Sequence, residues 1–335
     1  MLVVHHTDND GYCCAALAKN YLVMAYDIPA EEDFITYYHG GVIPEEKLKR
    51  PIREGETVYV LDLGLDDVIF DFIAKCRSEG ANVVHIDHHK TTQEYINAMS
   101  PVKKEIYAGV VSFIETAVSA SYLTYAYAMF DENERKNPND VNFASTSNYA
   151  KMVIDPNTSK ERIYHVPLVV RYVDDFDIWR FALEDTKAFH YGFDAVEYRR
   201  KPFGKEWKEL IYGDSTVVPK IIERGRIIES DRRMQYDDNM KYAFETFIGG
   251  CRCLAVNTTA GTSEVFGKRI DDYAMCVMFF YNGAINKWKF EFRSGERGID
   301  VSAIAKEFGG GGHFHAAGAT SDKLIFDTSP LTETI

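Results

Sequence analysis

Acidic and imidazole side chains stand immediately after three short apolar runs of this chain. Leu2-Val3-Val4 leads into His5-His6-Thr7-Asp8-Asn9-Asp10-Gly11. Thr57-Val58-Tyr59-Val60-Leu61 ends in Asp62, and Val83-Val84-His85-Ile86 ends in Asp87-His88-His89. A fourth acidic group, Asp174, Asp175 and Asp177, follows the apolar stretch Val166–Val173. Hard carboxylates mixed with imidazoles suit a divalent first-row ion such as Mn²⁺, not a thiolate-selecting structural zinc. The spacing of His6, Asp8 and Asp10 in a tight loop after a strand can turn all three toward one point, with His5 a secondary alternative to His6. Together with Asp62, His88 and one or more acids of the 174–177 group, these are too many ligands for one ion with open positions. Two ions about 3.5–4 Å apart, bridged by one carboxylate, would use them all. Such a pair binds phosphate oxygens and stabilises the leaving oxygen of an in-line displacement.

A second constellation lies near the end of the chain. Gly309-Gly310-Gly311-Gly312 precedes His313-Phe314-His315-Ala316-Ala317-Gly318. Consecutive glycines free backbone N–H groups and let the chain approach an anion closely. Arg293, at the end of the preceding β-rich run, can add a bidentate contact to phosphate or carboxylate.

The elements that must position these groups follow from residue patterning. The three ligand-terminated runs read as buried parallel strands, separated by helices over Tyr12–Tyr26 and Asp67–Ser78, the latter closed by Gly80. Asp33–His39 reads as a further strand, and Glu115–Phe130 and Val166–Val173 as helices. This βαβ series predicts a parallel, doubly wound sheet, which places its site in the crevice beyond the strands' carboxyl ends. The polar stretch 131–162 reads as an inserted loop, and Val217–Phe247 as one long helix. The period then changes: Arg252–Thr258, Glu264–Lys268, Tyr273–Tyr281 and Lys287–Arg293 read as strands, with a hairpin turn at Asn282-Gly283 and a helix over Ile299–Phe308. The expected organisation is therefore an α/β domain over 1–185 with its insertion at 131–162, a helical connector over 186–245, and a smaller α/β domain over 246–335.

Composition narrows the function. With 335 residues and 46% hydrophobic content, the chain can build two ordinary cores. No run of about 18 apolar residues occurs, so no transmembrane helix or membrane partner is expected. The first residues show no basic region or cleavage site, so no signal peptide is expected. Six cysteines without a C-x-x-C pair read as reduced thiols, which fits a cytoplasmic protein. The net charge of −13 argues against a track for long nucleic acid, which needs a basic footprint. It leaves room for a small anionic substrate in a cleft whose field is inverted by metals or local cations. A homodimer is one option the sequence leaves open.

Taken jointly and in this order, Asp87-His88-His89 after a strand, the His6-x-Asp8-x-Asp10-Gly11 loop, Asp62 after its strand and the G-G-G-G-H-x-x-A-A-G motif at 309–318 resemble the DHH phosphoesterase superfamily. More narrowly, the chain looks like the two-domain members with a C-terminal DHH-associated domain. The resemblance covers essentially the whole chain. It implies a phosphohydrolase carrying two Mn²⁺, with Mg²⁺ or Co²⁺ as substitutes, and an active site in the cleft between the domains. It further implies that His6, Asp8 and Asp62 hold one ion, and that Asp10, Asp62, His88 and one acid of the 174–177 group hold the other. Asp175 is favoured for that last place, with Asp177 second. His89 would contact the substrate phosphate or help protonate the leaving group, and Arg293, His313 and Gly310, Gly311 and Gly312 would bind the rest of the substrate. The first loop lacks the longer spacing of the superfamily's pyrophosphatases and is similar to that of nano-RNase relatives. The implied activity is 3′–5′ hydrolysis of short oligonucleotides, with 3′-phosphoadenosine 5′-phosphate a further substrate. Cyclic-dinucleotide phosphodiesterase, exopolyphosphatase and a catalytically silent nucleotide-binding protein are the alternatives, in that order.

Overall fold

The computed structural model describes residues 1–23, 29–38, 41–145, 150–154, 161–213, 216–259 and 262–326, without the side chain of His313. Residues 24–26 of the first predicted helix, His39 and Gly40, and 146–149 and 155–160 of the insertion lie outside the described residues. Two compact units divide the chain, Met1–Ile228 and Glu229–Ile335. Among the described residues no helix is long and apolar enough to cross a membrane.

The first unit begins with β1 (Leu2–His5), α1 (Asn9–Leu17), β2 (Phe34–Thr36), β3 (Thr57–Leu61), α2 (Asp67–Ser78) and β4 (Asn82–Asp87). It continues through α3 (Lys90–Ala98), α4 (Pro101–Tyr107), β5 (Val111–Ile114) and α5 (Ala120–Met129). The five strands form one parallel sheet in the order β2-β1-β3-β4-β5. Alternate residues of the β-branched runs face opposite sides. Val3, Leu61, Val84 and Ile86 pack with Cys13, Leu17 and Leu123 of α1 and α5. Leu2, Val4, Val58, Val60 and Val83 pack with Ile69, Phe72 and Ile73 of α2 and Tyr107 of α4. Burial on both faces is why these strands read as continuous apolar runs, and helices on both faces make the sheet doubly wound. The strand order reverses between β1 and β3, the switch point at which such sheets open a crevice beyond their carboxyl ends. Helix α2 starts where the Asp66 carboxylate accepts from Ile69 N–H (2.8 Å) and stops at Gly80, whose φ of +82° a side chain would resist.

The polar insertion is not the irregular excursion its composition suggests. It holds α6 (Glu132–Lys136) and three strands, β6 (Phe143–Ser145), β7 (Lys151–Ile154) and β8 (Arg162–His165), paired antiparallel in the order β6-β7-β8. Met152 and Ile154 are buried in the α1/α5 core, which anchors an otherwise polar sheet. After α7 (Leu168–Asp177), α8 (Thr186–Asp194) and α9 (Lys205–Lys208), the long helix α10 (Val217–Met240) crosses the boundary between the units. The boundary expected at 185 cuts through a single core, because Phe189 and Phe193 of α8, Trp207 of α9 and Ile221 of α10 all pack into the same cluster as α1 and α5. Helices α8 and α10 meet at two glycines: a Cβ on Gly192 would lie 1.9 Å from the Ile221 carbonyl oxygen, and one on Gly225 only 1.6 Å from that of Ala188.

Helix α10 also ends earlier than residue 247, because Phe244–Ile248 is strand β9, paired antiparallel with β10 (Cys251–Asn257). β11 (Met275–Asn282) and β12 (Lys287–Arg293) form the predicted hairpin, followed by α11 (Val301–Glu307), β13 (Gly311–His313) and β14 (Ala316–Ser321). The segment predicted as a strand over Glu264–Lys268 lies instead in a 3₁₀ stretch, Ser263–Asp272, where Val265 and Phe266 pack onto one face of the sheet. The six strands run in the order β13-β14-β12-β11-β10-β9, and α11 covers the other face through Val301, Ile304 and Ala305.

Candidate active site

The loop from β1 to α1 folds around Asp8. Its Oδ1 accepts from Gly11 N–H (2.9 Å), capping α1, and its Oδ2 lies 2.6 Å from His6 Nδ1. Gly11 is required here, since a Cβ would sit 2.4 Å from the His6 carbonyl oxygen. The His6 and Gly11 positions of the sequence motif are thus two sides of one contact. Asp10 is fully buried at the other end of the loop, and its two oxygens accept from Ala120 N–H (2.8 Å) and Ser121 N–H (3.0 Å) at the start of α5. A helix N-terminus is a natural partner for a carboxylate. Burial nevertheless raises the pKa of Asp10, helped by the charge of Asp8.

Asp62, at the end of β3, has φ +57°, an uncommon conformation for a residue with a side chain. Its Oδ2 is buried without a hydrogen-bond partner among the described residues, as is Oδ2 of Asp177. Burial, then the charges of Asp8 and Asp10, push the Asp62 carboxyl well above the usual range; burial and the same two charges do so for Asp177. His88 Nε2 lies 3.5 Å from Asp62 Oδ1 and 3.2 Å from Asp177 Oδ2, and His6 Nδ1 lies 3.8 Å from Asp62 Oδ2. Three groups of ligand-type atoms, each within 4.8 Å of one another, result: His6, Asp8 and Asp62; Asp62, His88 and His89; Asp10, His88 and Asp177. Buried carboxylates that repel one another and lack donors are a site for a cation.

The structure brings together His6, Asp8, Asp10, Asp62, His88 and His89, and it replaces Asp175 by Asp177. Asp175 is fully buried, but its carboxylate accepts from Ala182 N–H (2.9 Å), Leu183 N–H (3.1 Å) and the Thr186 hydroxyl, so it organises the loop after α7. Asp174 accepts from Ser119 N–H (2.7 Å) and pairs with Arg180 (3.3 Å); burial lifts its pKa to about 7. His5 points away from the group: its Nδ1 contacts the His6 carbonyl (2.8 Å), and burial lowers its pKa to about 4.

Asp87, the acid of the D-H-H run, does not join the ligand atoms. Its Oδ1 lies 2.7 Å from His89 Nδ1, and its Oδ2 accepts from the Thr92 hydroxyl. Burial opposes its charge, but the His89 hydrogen bond and the neighbouring histidines hold its pKa down to about 2. Burial likewise opposes charge on His89, and the Asp87 bond and charge overcome it, raising the imidazole pKa. The sequence signal for this pair is an acid at a strand end two residues before a histidine. His85, inside β4, is held by Tyr107 Oη (2.7 Å) and the Leu63 carbonyl (3.0 Å) and serves the core.

In the second unit the glycine run is an edge strand rather than an open anion loop. Gly311, Gly312 and His313 of β13 pair with Gly318, Ala317 and Ala316 of β14. A Cβ on Gly310 would lie 2.0 Å from the Gly318 carbonyl oxygen, and one on Gly312 2.5 Å from Ala317 Cα. These glycines therefore let β13 approach β14. Arg293 pairs in register with Ala316, the same residue that pairs with His313, so Arg293 and the glycine strand flank β14. The Arg293 guanidinium is tied to Glu291 (3.0 Å) and to the Phe292 carbonyl (2.9 Å).

Two family models match the chain: the N-terminal domain of the DHH family over residues 1–155, and the DHHA1 domain over residues 255–328. Between them they take in more than half of the sequence.

The chain belongs to the DHH family.

Its two-domain DHH/DHHA1 architecture makes this DHH protein a metal-dependent phosphoesterase. No curated protein matches it. Among solved structures it is similar to the pGpG-specific phosphodiesterase PggH from Vibrio cholerae, at 12% identity over 95% of this chain and 92% of that one, with a TM-score of 0.45. It is also similar to an exopolyphosphatase-related protein from Bacteroides fragilis, at 13% identity over 96% and 87% of the two chains (TM-score 0.44). Against RecJ in complex with Mn²⁺ from Thermus thermophilus, the identity is 14% over 96% of this chain and 50% of that one (TM-score 0.46).

Proposed function

We propose that this phosphoesterase is a two-ion, Mn²⁺-dependent enzyme that hydrolyses oligonucleotides of two to about five residues from the 3′ end. The observation that carries the reading is that Asp62 belongs to two ligand groups at once while one of its oxygens has no donor. His6, Asp8 and Asp62 hold one ion in this reading, and Asp10, Asp62, His88 and Asp177 the other. Ions there supply Lewis-acid stabilisation of the phosphoryl oxygens and lower the pKa of bound water. His89 stands beside the same group with its other ring nitrogen available, since Nδ1 is engaged by Asp87. Hydrogen bonding to that carboxylate raises the pKa of the ring against the opposing effect of burial, which suits it to donate a proton to the leaving oxygen. The acidic balance of the chain, −13, supports a small substrate captured in a pocket over a long strand held on a basic track. 3′-Phosphoadenosine 5′-phosphate fits the same chemistry.

The test is release of mononucleotides from 5′-labelled RNA of two, five and twenty-four nucleotides with MnCl₂, beside a His88→Ala control. Rapid release from the two shorter RNAs alone, lost in the control, is the expected result. Release from none of them, with turnover of a cyclic dinucleotide or polyphosphate instead, would replace the substrate and leave the metal site standing.

A further inference from the structure

We propose that Trp179 is a stacking platform for a nucleobase of the substrate, an inference that rests on the reading of the adjoining carboxylate cluster as acting on nucleotides. Asp8, Asp10 and Asp177 line a recess of about 220 Å³ together with Phe176, Trp179 and His190. The phosphate-directed groups and aromatic rings thus share one recess within the first unit.

Trp179 is unusual in two respects. It is 57% exposed, although indole is among the side chains with most to gain from burial. Its backbone also sits at φ +55°, and Phe181 two residues on sits at +51°. Two bulky residues in this region are costly and persist only where their surroundings hold them. The surroundings here are explicit. The Asp175 carbonyl accepts from Arg180 N–H (3.0 Å) and Phe181 N–H (3.2 Å), its carboxylate takes the next two N–H groups, and Trp179 N–H donates to the Phe176 carbonyl (3.0 Å). Beneath the loop, Phe176 stacks on His190 with ring centroids 3.4 Å apart. Phe181 meets the indole edge to face at 5.3 Å, and Phe176 lies 6.0 Å from it. Asp175, which the sequence offers as a metal ligand, has this loop as its task. The result is an indole braced from below and open to solvent, two residues from Asp177.

A flat, braced aromatic beside phosphate-binding groups suits the face of a base, and stacking of this kind is tolerant of base identity. The platform therefore contributes affinity for any nucleotide end placed at the cluster, with little discrimination among the four bases.

The test compares kcat/KM for the dinucleotide pApA with that for an abasic dinucleotide of the same backbone, in wild type, Trp179→Leu and Trp179→Tyr. Taking the ratio removes any general loss of active protein. Trp179→Leu is expected to lower the ratio at least about fivefold, and Trp179→Tyr to restore most of it. A parallel titration of tryptophan emission in MgCl₂ with adenosine 5′-monophosphate should show quenching that ribose 5-phosphate does not produce and that Trp179→Tyr loses. Trp207 is buried and Trp288 lies in β12 of the second unit, so loss of the quenching in Trp179→Tyr assigns it to Trp179. An unchanged ratio in Trp179→Leu with pApA still cleaved by wild type would overturn the platform and keep the hydrolase reading. Quenching by the nucleotide without turnover of any RNA would keep the platform and overturn the hydrolase reading. A wild type that neither binds nor cleaves nucleotides overturns both.

Discussion

Replacing Asp62 by Asn should stabilise the metal-free protein and destabilise it, relative to wild type, once Mn²⁺ is present. The perturbation is chosen to act on charge alone. Asp62 has φ +57°, where Asn is well tolerated and Ala would add about 1 kcal/mol of strain. An oxygen of Asp62 lies within 4.8 Å of one of Asp8. Two unit charges at that separation repel by about 3 kcal/mol at the effective dielectric of a partly buried site. Uptake of a proton by Asp62, whose pKa burial and the neighbouring carboxylates raise, relieves part of this. A gain of about 1–2 kcal/mol for the metal-free variant follows, or roughly 2–8 °C in Tm for a unit of this size. A bound ion reverses the sign. At a hundredfold excess over Kd, one ion stabilises wild type by about 2.7 kcal/mol, and the variant lacks the shared ligand through which that energy is gained. Thermal melts in EDTA and in MnCl₂ should therefore cross, with the variant higher in EDTA and wild type higher in MnCl₂. Turnover on a dinucleotide should fall about a hundredfold or more. If the two proteins keep the same order in both buffers, the shared-carboxylate argument is wrong.

Three other substitutions test separate parts of the structure. Asp175→Asn leaves backbone donors facing an amide and should cost about 2 kcal/mol of stability with Mn²⁺-induced stabilisation retained, whereas Asp177→Asn should lose the Mn²⁺ increment while melting no lower than wild type in EDTA; matched melts separate the two residues. Asp87 is held down to about 2 from an ordinary value near 3.8, so its stabilisation is complete above pH 4 and lost as pH falls through 2. Urea unfolding should show Asp87→Asn about 2 kcal/mol less stable than wild type at pH 7, with the difference shrinking on acidification below pH 4; a gap that is constant with pH would assign the loss to packing. Gly225→Ala drives a methyl group into the Ala188 carbonyl across the α8/α10 crossing and should cost about 3 kcal/mol, read as a lowered Tm with or without metal.

The strand-terminal acids and histidines were legible because local patterning marks both the strand and its end. The β-branched runs of β1, β3 and β4 are buried on both faces, and the polar residue that follows each run has to leave the sheet at its carboxyl edge. That accounts for His6, Asp8, Asp62 and His88 without any knowledge of the fold beyond its class. Local patterning failed where pairing came from a distance. The strands of the insertion are short and polar, and they exist because Met152 and Ile154 reach a core built by residues far away in sequence. The glycine run became an edge strand because β14 was there to receive it, through contacts a Cβ would block. The α8 segment looked like part of a connector, yet Phe189 and Phe193 complete the first core.

The acids after α7 divide the two kinds of information most sharply. The sequence by itself pointed to an acidic group completing the cluster, since Asp174, Asp175 and Asp177 follow the apolar stretch Val166–Val173. Which of them does so depends on how α7 is turned about its axis, because consecutive residues point about 100° apart around a helix. Burial of Val169, Val170 and Val173 fixes that rotation. It sends Asp174 to Ser119 and Arg180, Asp175 to the loop that carries Trp179, and Asp177 to His88. Three carboxylates of equal chemistry thus acquire three different roles from the packing of side chains that do no chemistry, and only the tertiary structure holds that packing.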